Sequence, residues 1–209
     1  MKIQIERVTL LILVIAFLSL GAFAQSESTI PANFTTYTDE LSLFNISYPV
    51  GWELDLSKIK ILKQETEEYL KSINSRGTLE YSNIVFFGGV PLDGGYNPNI
   101  SIFIVPLGNE KVKLEGLEYV LKSAVQGFKK DAEEFHELSR ITVIIDGKQA
   151  MLLESEVRYP YFNSMHSLHA FLSGERFFWI ITCVVIQPLN FNEFKDDIYA
   201  MVKSFKILK

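Results

Sequence analysis

Cysteine is nearly absent from this 209-residue chain, where Cys183 stands alone. One thiol closes no internal disulfide, no four-cysteine zinc site and no CxxC redox pair. Basic residues are also short, 20 Lys+Arg against 25 Asp+Glu, giving a net charge of −5. Nothing here builds the positive field that nucleic-acid phosphates require, so no nucleic-acid partner is expected. Two catalytic strings are missing as well. Gly-x-Ser-x-Gly, which exposes a hydrolase serine, and the Gly-rich string ending in Gly-Lys-Ser/Thr, which cradles nucleotide phosphates, occur nowhere in the chain. His136-Glu137-Leu138-Ser139-Arg140 begins like a zinc-protease motif, yet Arg140 stands where a second imidazole must bind the metal. No cofactor is called for, and no repeat or low-complexity tract appears.

What is present begins with an oily leader. Lys2 and Arg7 supply a basic start, Val8 to Phe17 an apolar stretch, and Ala22-Phe23-Ala24 a small-x-small ending before Gln25. That is the order of a signal peptide over residues 1–24, cut between Ala24 and Gln25. Val8 to Ala24, seventeen mostly apolar residues, is also at the short edge of a bilayer span, so retention as an anchor stays open, and it is the only expected contact with a membrane. No cysteine lies near the cut, which excludes a lipoprotein anchor. Removing residues 1–24 takes away Lys2, Glu6 and Arg7 and leaves 185 residues with a net charge of −6. A domain of that size buries roughly 70% of its unfolded surface and needs no staples. Residues 25–33, polar and containing Pro31, read as a linker, and residues 34–209 as one domain, secreted or held on the outer face of the membrane.

Within that domain Phe44, Ile46 and Tyr48 alternate with Asn45 and Ser47, the period of a half-buried strand, before Pro49-Val50-Gly51 breaks it. Leu56 to Ile73 carries apolar residues at helical intervals among glutamates. Ile84 to Phe87 and Asn99 to Val105 read as strands, and Gly88 to Pro98 between them as an irregular loop. Leu114 to Phe135 has the strongest helical stripe. Ile141–Ile145 and Gln149–Tyr159 flank Asp146-Gly147, a hairpin signal. His166–Leu172 and Phe177–Ile186 are further strands, the second apolar at nearly every position and therefore covered on both faces. Asn190 caps a closing helix running to Lys203, with Glu193 three residues on. Together these predict an α/β/α sandwich around a largely antiparallel sheet.

Three fragments, Tyr37-Thr38-Asp39-Glu40, Phe44 to Trp52 and Val202-Lys203-Ser204-Phe205-Lys206-Ile207, resemble the PsbP-like superfamily, which includes photosystem II PsbP and bacterial DcrB-like exported domains. The order of elements is similar across Phe34 to Ile207. The resemblance implies an α/β/α sandwich working as a noncatalytic binding or assembly module outside the cytoplasm, with an envelope or extracellular protein as partner. It carries over no functional residue.

Binding residues are therefore sought in the chain itself. In the loop Gly88–Pro98, Asp93, Tyr96 and Asn97 offer a carboxylate, an amphipathic ring and an amide suited to recognition. Two readings compete with the binding module. One is a metal-dependent or hydrolytic enzyme whose site draws on Asp93, His136, His166 and His169. For it, Glu133 and His136 would share a helix face, whereas His166 and His169, three apart on a strand, point to opposite faces. The other is a carrier of small apolar ligands, suggested by 16 Phe and 9 Tyr. Cys183, in an apolar strand, reads as a protonated core thiol. The sequons at Asn33, Asn45 and Asn99 matter only in a host that glycosylates.

Overall fold

The computed structural model describes residues 30–41, 43–55, 83–92, 95–106, 114–160, 163–175 and 177–208. The leader with its Ala24/Gln25 cut, the helix expected over Leu56–Ile73, and Asp93 all lie outside them. Among the described residues ten strands and two helices follow in order: β1 Phe34–Thr38, β2 Phe44–Pro49, β3 Glu53–Leu54, β4 Asn83–Leu92, β5 Gly95–Pro106, α1 Leu114–Asp131, β6 Glu134–Ile145, β7 Lys148–Arg158, β8 Met165–Ser173, β9 Phe177–Ile186, α2 Phe191–Ser204 and β10 Lys206–Ile207. Seven strands form one sheet in the order β3-β4-β5-β9-β8-β7-β6, and three form a second, β1-β2-β10. Every pairing is antiparallel.

The period of two divides the large sheet into two cores. On β7 and β9, Leu152, Trp179, Ile181 and Cys183 face α2 and the small sheet, while Met151, Leu153 and Phe178 face α1. α1 lays Leu117, Leu121 and Val125, at four-residue spacing, on that second face. On the first face α2 contributes Ile198, Met201 and Val202, and β2 contributes Phe44 and Ile46. The sandwich is present, with one outer layer shared by α2 and the three-stranded sheet.

Trp179, Phe44, Phe86 and Phe205 fill that first core. Phe44 stacks on Phe205 at 5.6 Å and meets Trp179 edge-on at 5.6 Å. Ser47, on the opposite side of β2 from its apolar neighbours, is buried too, and its N–H donates to Ser204 Oγ (2.9 Å). The Asp146-Gly147 turn has φ of 50° and 69°, the left-handed pair that a two-residue hairpin requires. Asn190 caps α2 by accepting the Asn192 N–H (3.1 Å).

Two expectations are corrected. The helix expected from Leu114 to Phe135 ends at Asp131. Ala132 N–H closes its last turn on Phe128 O, and Glu133 N–H then turns to Arg158 O, so Phe135 and His136 belong to β6. Glu133 and His136 therefore share no helix face. The segment Gly88–Pro98 is also no irregular loop, since all its described residues lie on β4 and β5, paired from Gly88↔Ile100 to Leu92↔Gly95. Its glycines serve close packing. A Cβ on Gly88 would stand 2.6 Å from Glu53 O, and one on Gly89 2.2 Å from Pro98 O.

Candidate functional site

One end of the large sheet gathers an ionisable cluster under α2. On the α2 face, β7 carries Glu154 and Glu156 two residues apart, and β8 carries His166 directly opposite Glu156. α2 lowers Phe191, Lys195 and Tyr199 onto them, spaced four apart and so aligned on one helix face. Glu154 is buried at 7% exposure in a strand of apolar neighbours. Its carboxylate shares a 2.9 Å bond with His166 Nε2, accepts Tyr199 OH at 3.1 Å, and stands 3.4 Å from Lys195 Nζ through both oxygens. Burial alone would raise its pKa, but the bonds from His166 and Tyr199 and the Lys195 charge outweigh it and hold Glu154 below the ordinary carboxylate value. Tyr199 is pushed up to about 12 by its burial and by the Glu154 charge.

The His166 ring lies flat on Phe191, with centroids 3.8 Å apart and planes 3° apart, and its Nδ1 faces Glu156 at 3.5 Å. Beside this floor opens a cleft of about 410 Å³, walled by Met165, Val185, Pro188 and Leu189 and edged by Glu156 and Asn190. Apolar walls with a few fixed polar groups are the makeup of a recognition site. Each ionisable group of that floor has a partner within it.

The residues singled out from the sequence fall in different places. Asn97 is buried, and its side-chain amide forms a closed pair with the Ile186 backbone, donating to O (2.8 Å) and accepting from N–H (2.8 Å). It extends the sheet as a surrogate backbone group, with one N–H and the oxygen of its amide engaged. That clamp also fixes Ile186 beside Gln187, a residue of the cleft wall. Tyr96 is half-buried and meets Phe87 edge-on at 5.6 Å.

The three histidines do not form one site. His169 lies on the α1 face, buried, its Nδ1 3.0 Å from Thr182 Oγ1 and its ring 5.0 Å from that of Phe128. Burial pushes its pKa down to about 4, so it is a neutral core group. His136 is exposed on β6 and shares the row of Glu156 and His166, two strand spacings or ~10 Å from the latter. Cys183 is buried, and burial pushes its thiol up. Among the described residues no group of three His, Cys, Asp or Glu converges on a metal position, and no helix is long and apolar enough to cross a membrane. Sequence reasoning singled out His166 but missed Glu154, Lys195 and Tyr199. The available signal was a glutamate inside an apolar strand and the four-residue spacing on α2.

No protein family and no curated protein matches the sequence. Solved structures do match in shape. Cyanobacterial PsbP from Synechocystis superposes with a TM-score of 0.54 at 15% identity, over 89% of this chain and 99% of that one. The yeast Ran-binding protein Mog1p gives 0.48 at 11%, over 85% and 96%. LpqN of Mycobacterium tuberculosis, described as involved in cell envelope biogenesis, gives 0.46 at 11%, over 84% and 91%. The chain has the PsbP-like fold.

Proposed function

We propose that this chain is an exported, noncatalytic binding module that receives an envelope or extracellular protein in the cleft beside His166. One observation carries the reading: a cleft with apolar walls and a few fixed polar groups opens beside a floor of paired ionisable side chains, the makeup of a recognition site. The separation of His169 from His166 across the sheet weighs against the enzyme reading, which called on both. The large rings that prompted the carrier reading pack on one another in the core. Export rests on the order of residues 1–25.

The test is intact-mass measurement of the protein from fractionated producing cells. The expected product begins at Gln25 and lies outside the cytoplasm. A cytoplasmic product that retains residues 1–24 contradicts the proposal.

A further inference from the structure

Among the described residues the outer edge of the large sheet on the β6 side is long and open. β6 runs for 12 residues, and β7 is its one sheet neighbour among the described residues. A register shift between Glu137 and Ser139 divides it. The first half is charged: Glu133 and Glu134 reach Arg158, and Glu137 holds Arg140 through two bonds of 2.9 and 2.7 Å. The second half, Arg140–Ile145, is apolar beyond Arg140 except for Thr142, with Ile141 45% and Ile144 54% exposed. It contains no proline, lysine or carboxylate, the residues that usually guard an edge.

Backbone alternation decides what this edge accepts. The two-residue turn makes Ile145 and Lys148 the first hydrogen-bonded pair, so Val143 and Ile141 direct their N–H and C=O groups toward β7. Arg140, Thr142 and Ile144 then direct theirs outward.

We infer that this half-strand pairs antiparallel with the same half-strand of a second copy, about a two-fold axis through Thr142. In that register Thr142 meets Thr142 of the second copy and Arg140 meets Ile144, which uses every outward group in about six hydrogen bonds. On the α2 face Ile141 meets Val143 and Val143 meets Ile141, an unbroken apolar row. Centring on Val143 would set Arg140 opposite the turn residue Asp146 and leave only Thr142 and Ile144 paired, in about four hydrogen bonds. Charge also favours a second copy here. In a chain of net charge −5, Ser139–Ile145 carries only Arg140, which Glu137 neutralises, so two copies meet without like charges. An interface built on this short strand falls below the ~1,200 Å² of a stable complex, so the dimer is weak and depends on concentration.

Sedimentation velocity of the purified native protein up to ~0.5 mM, the range that suits so small an interface, tests the inference. The wild-type mass should double with rising concentration. Thr142→Lys and Thr142→Glu, changes at an exposed side chain, should each stay monomeric with an unchanged melting temperature, because each puts like charges together at the axis. Mixed in equal amounts, they should form a heterodimer. A wild-type monomer throughout, whatever else the edge binds, overturns the proposal. So does a wild-type dimer indifferent to either substitution, or a mixture that stays monomeric.

Discussion

Gly89→Ala is expected to cost at least about 3 kcal/mol, at or beyond the usual cost of overpacking a well-packed core. The added Cβ would stand 2.2 Å from Pro98 O, 2.9 Å from Asn99 Cα and 2.9 Å from Tyr96 Cβ, so backbone atoms of β5 block it. No side-chain rotation relieves that contact. β5 must move away from β4, and its other edge is hydrogen-bonded to β9 along Asn99–Pro106. Gly147→Asn is the control: nothing lies within 4 Å of the added Cβ, and asparagine tolerates its φ of 69°. Urea unfolding of both variants checks the prediction. Equal, small losses would mean that β4 and β5 do not pair at Gly89.

The second large effect is acid lability through His169. In the folded protein this ring stays neutral until about pH 4, whereas in the unfolded chain it takes a proton near its ordinary 6.5. The unfolded state therefore binds more protons throughout that interval, and stability falls as pH drops from 6.5 toward 4. The loss reaches about 3 kcal/mol at the lower end. Glu154 acts in a lower window, because its depressed pKa gives stability that is complete above the ordinary carboxylate value and disappears below it. Unfolding free energies of wild type and His169→Gln at pH 7 and pH 4 separate the two. The variant starts less stable and should lose about 3 kcal/mol less on acidification. Parallel pH curves would show that His169 is not held neutral in the core.

Where side-chain period decides, the sequence is readable. The alternation of Phe44, Ile46 and Tyr48, the Asp146-Gly147 turn and the stripe on α2 all reappear as expected. The PsbP-like resemblance has a physical basis, because its fragments meet: Ile207 pairs with Phe44, Lys206 with Asn45, and Phe205 stacks on Phe44. Gly88-Gly89 misled because glycine serves both a turn and a close strand approach, and only the neighbouring backbone distinguishes them. The end of α1 was hidden because Phe135 continues a helical stripe while stacking on Phe128 from a strand. The candidate site was the least legible part. Glu154 finds Lys195 and Tyr199 at 41 and 45 residues' separation, so nothing near it in the chain announces why a carboxylate is buried there.

The most direct measurement places a photo-cross-linking residue at Gln187, on the cleft wall, or at Tyr119, 69% exposed on α1, in the native producing cells. Binding at the cleft predicts one discrete adduct of fixed mass from position 187 and none from 119. Identical adducts from both positions, or none from 187, would contradict it.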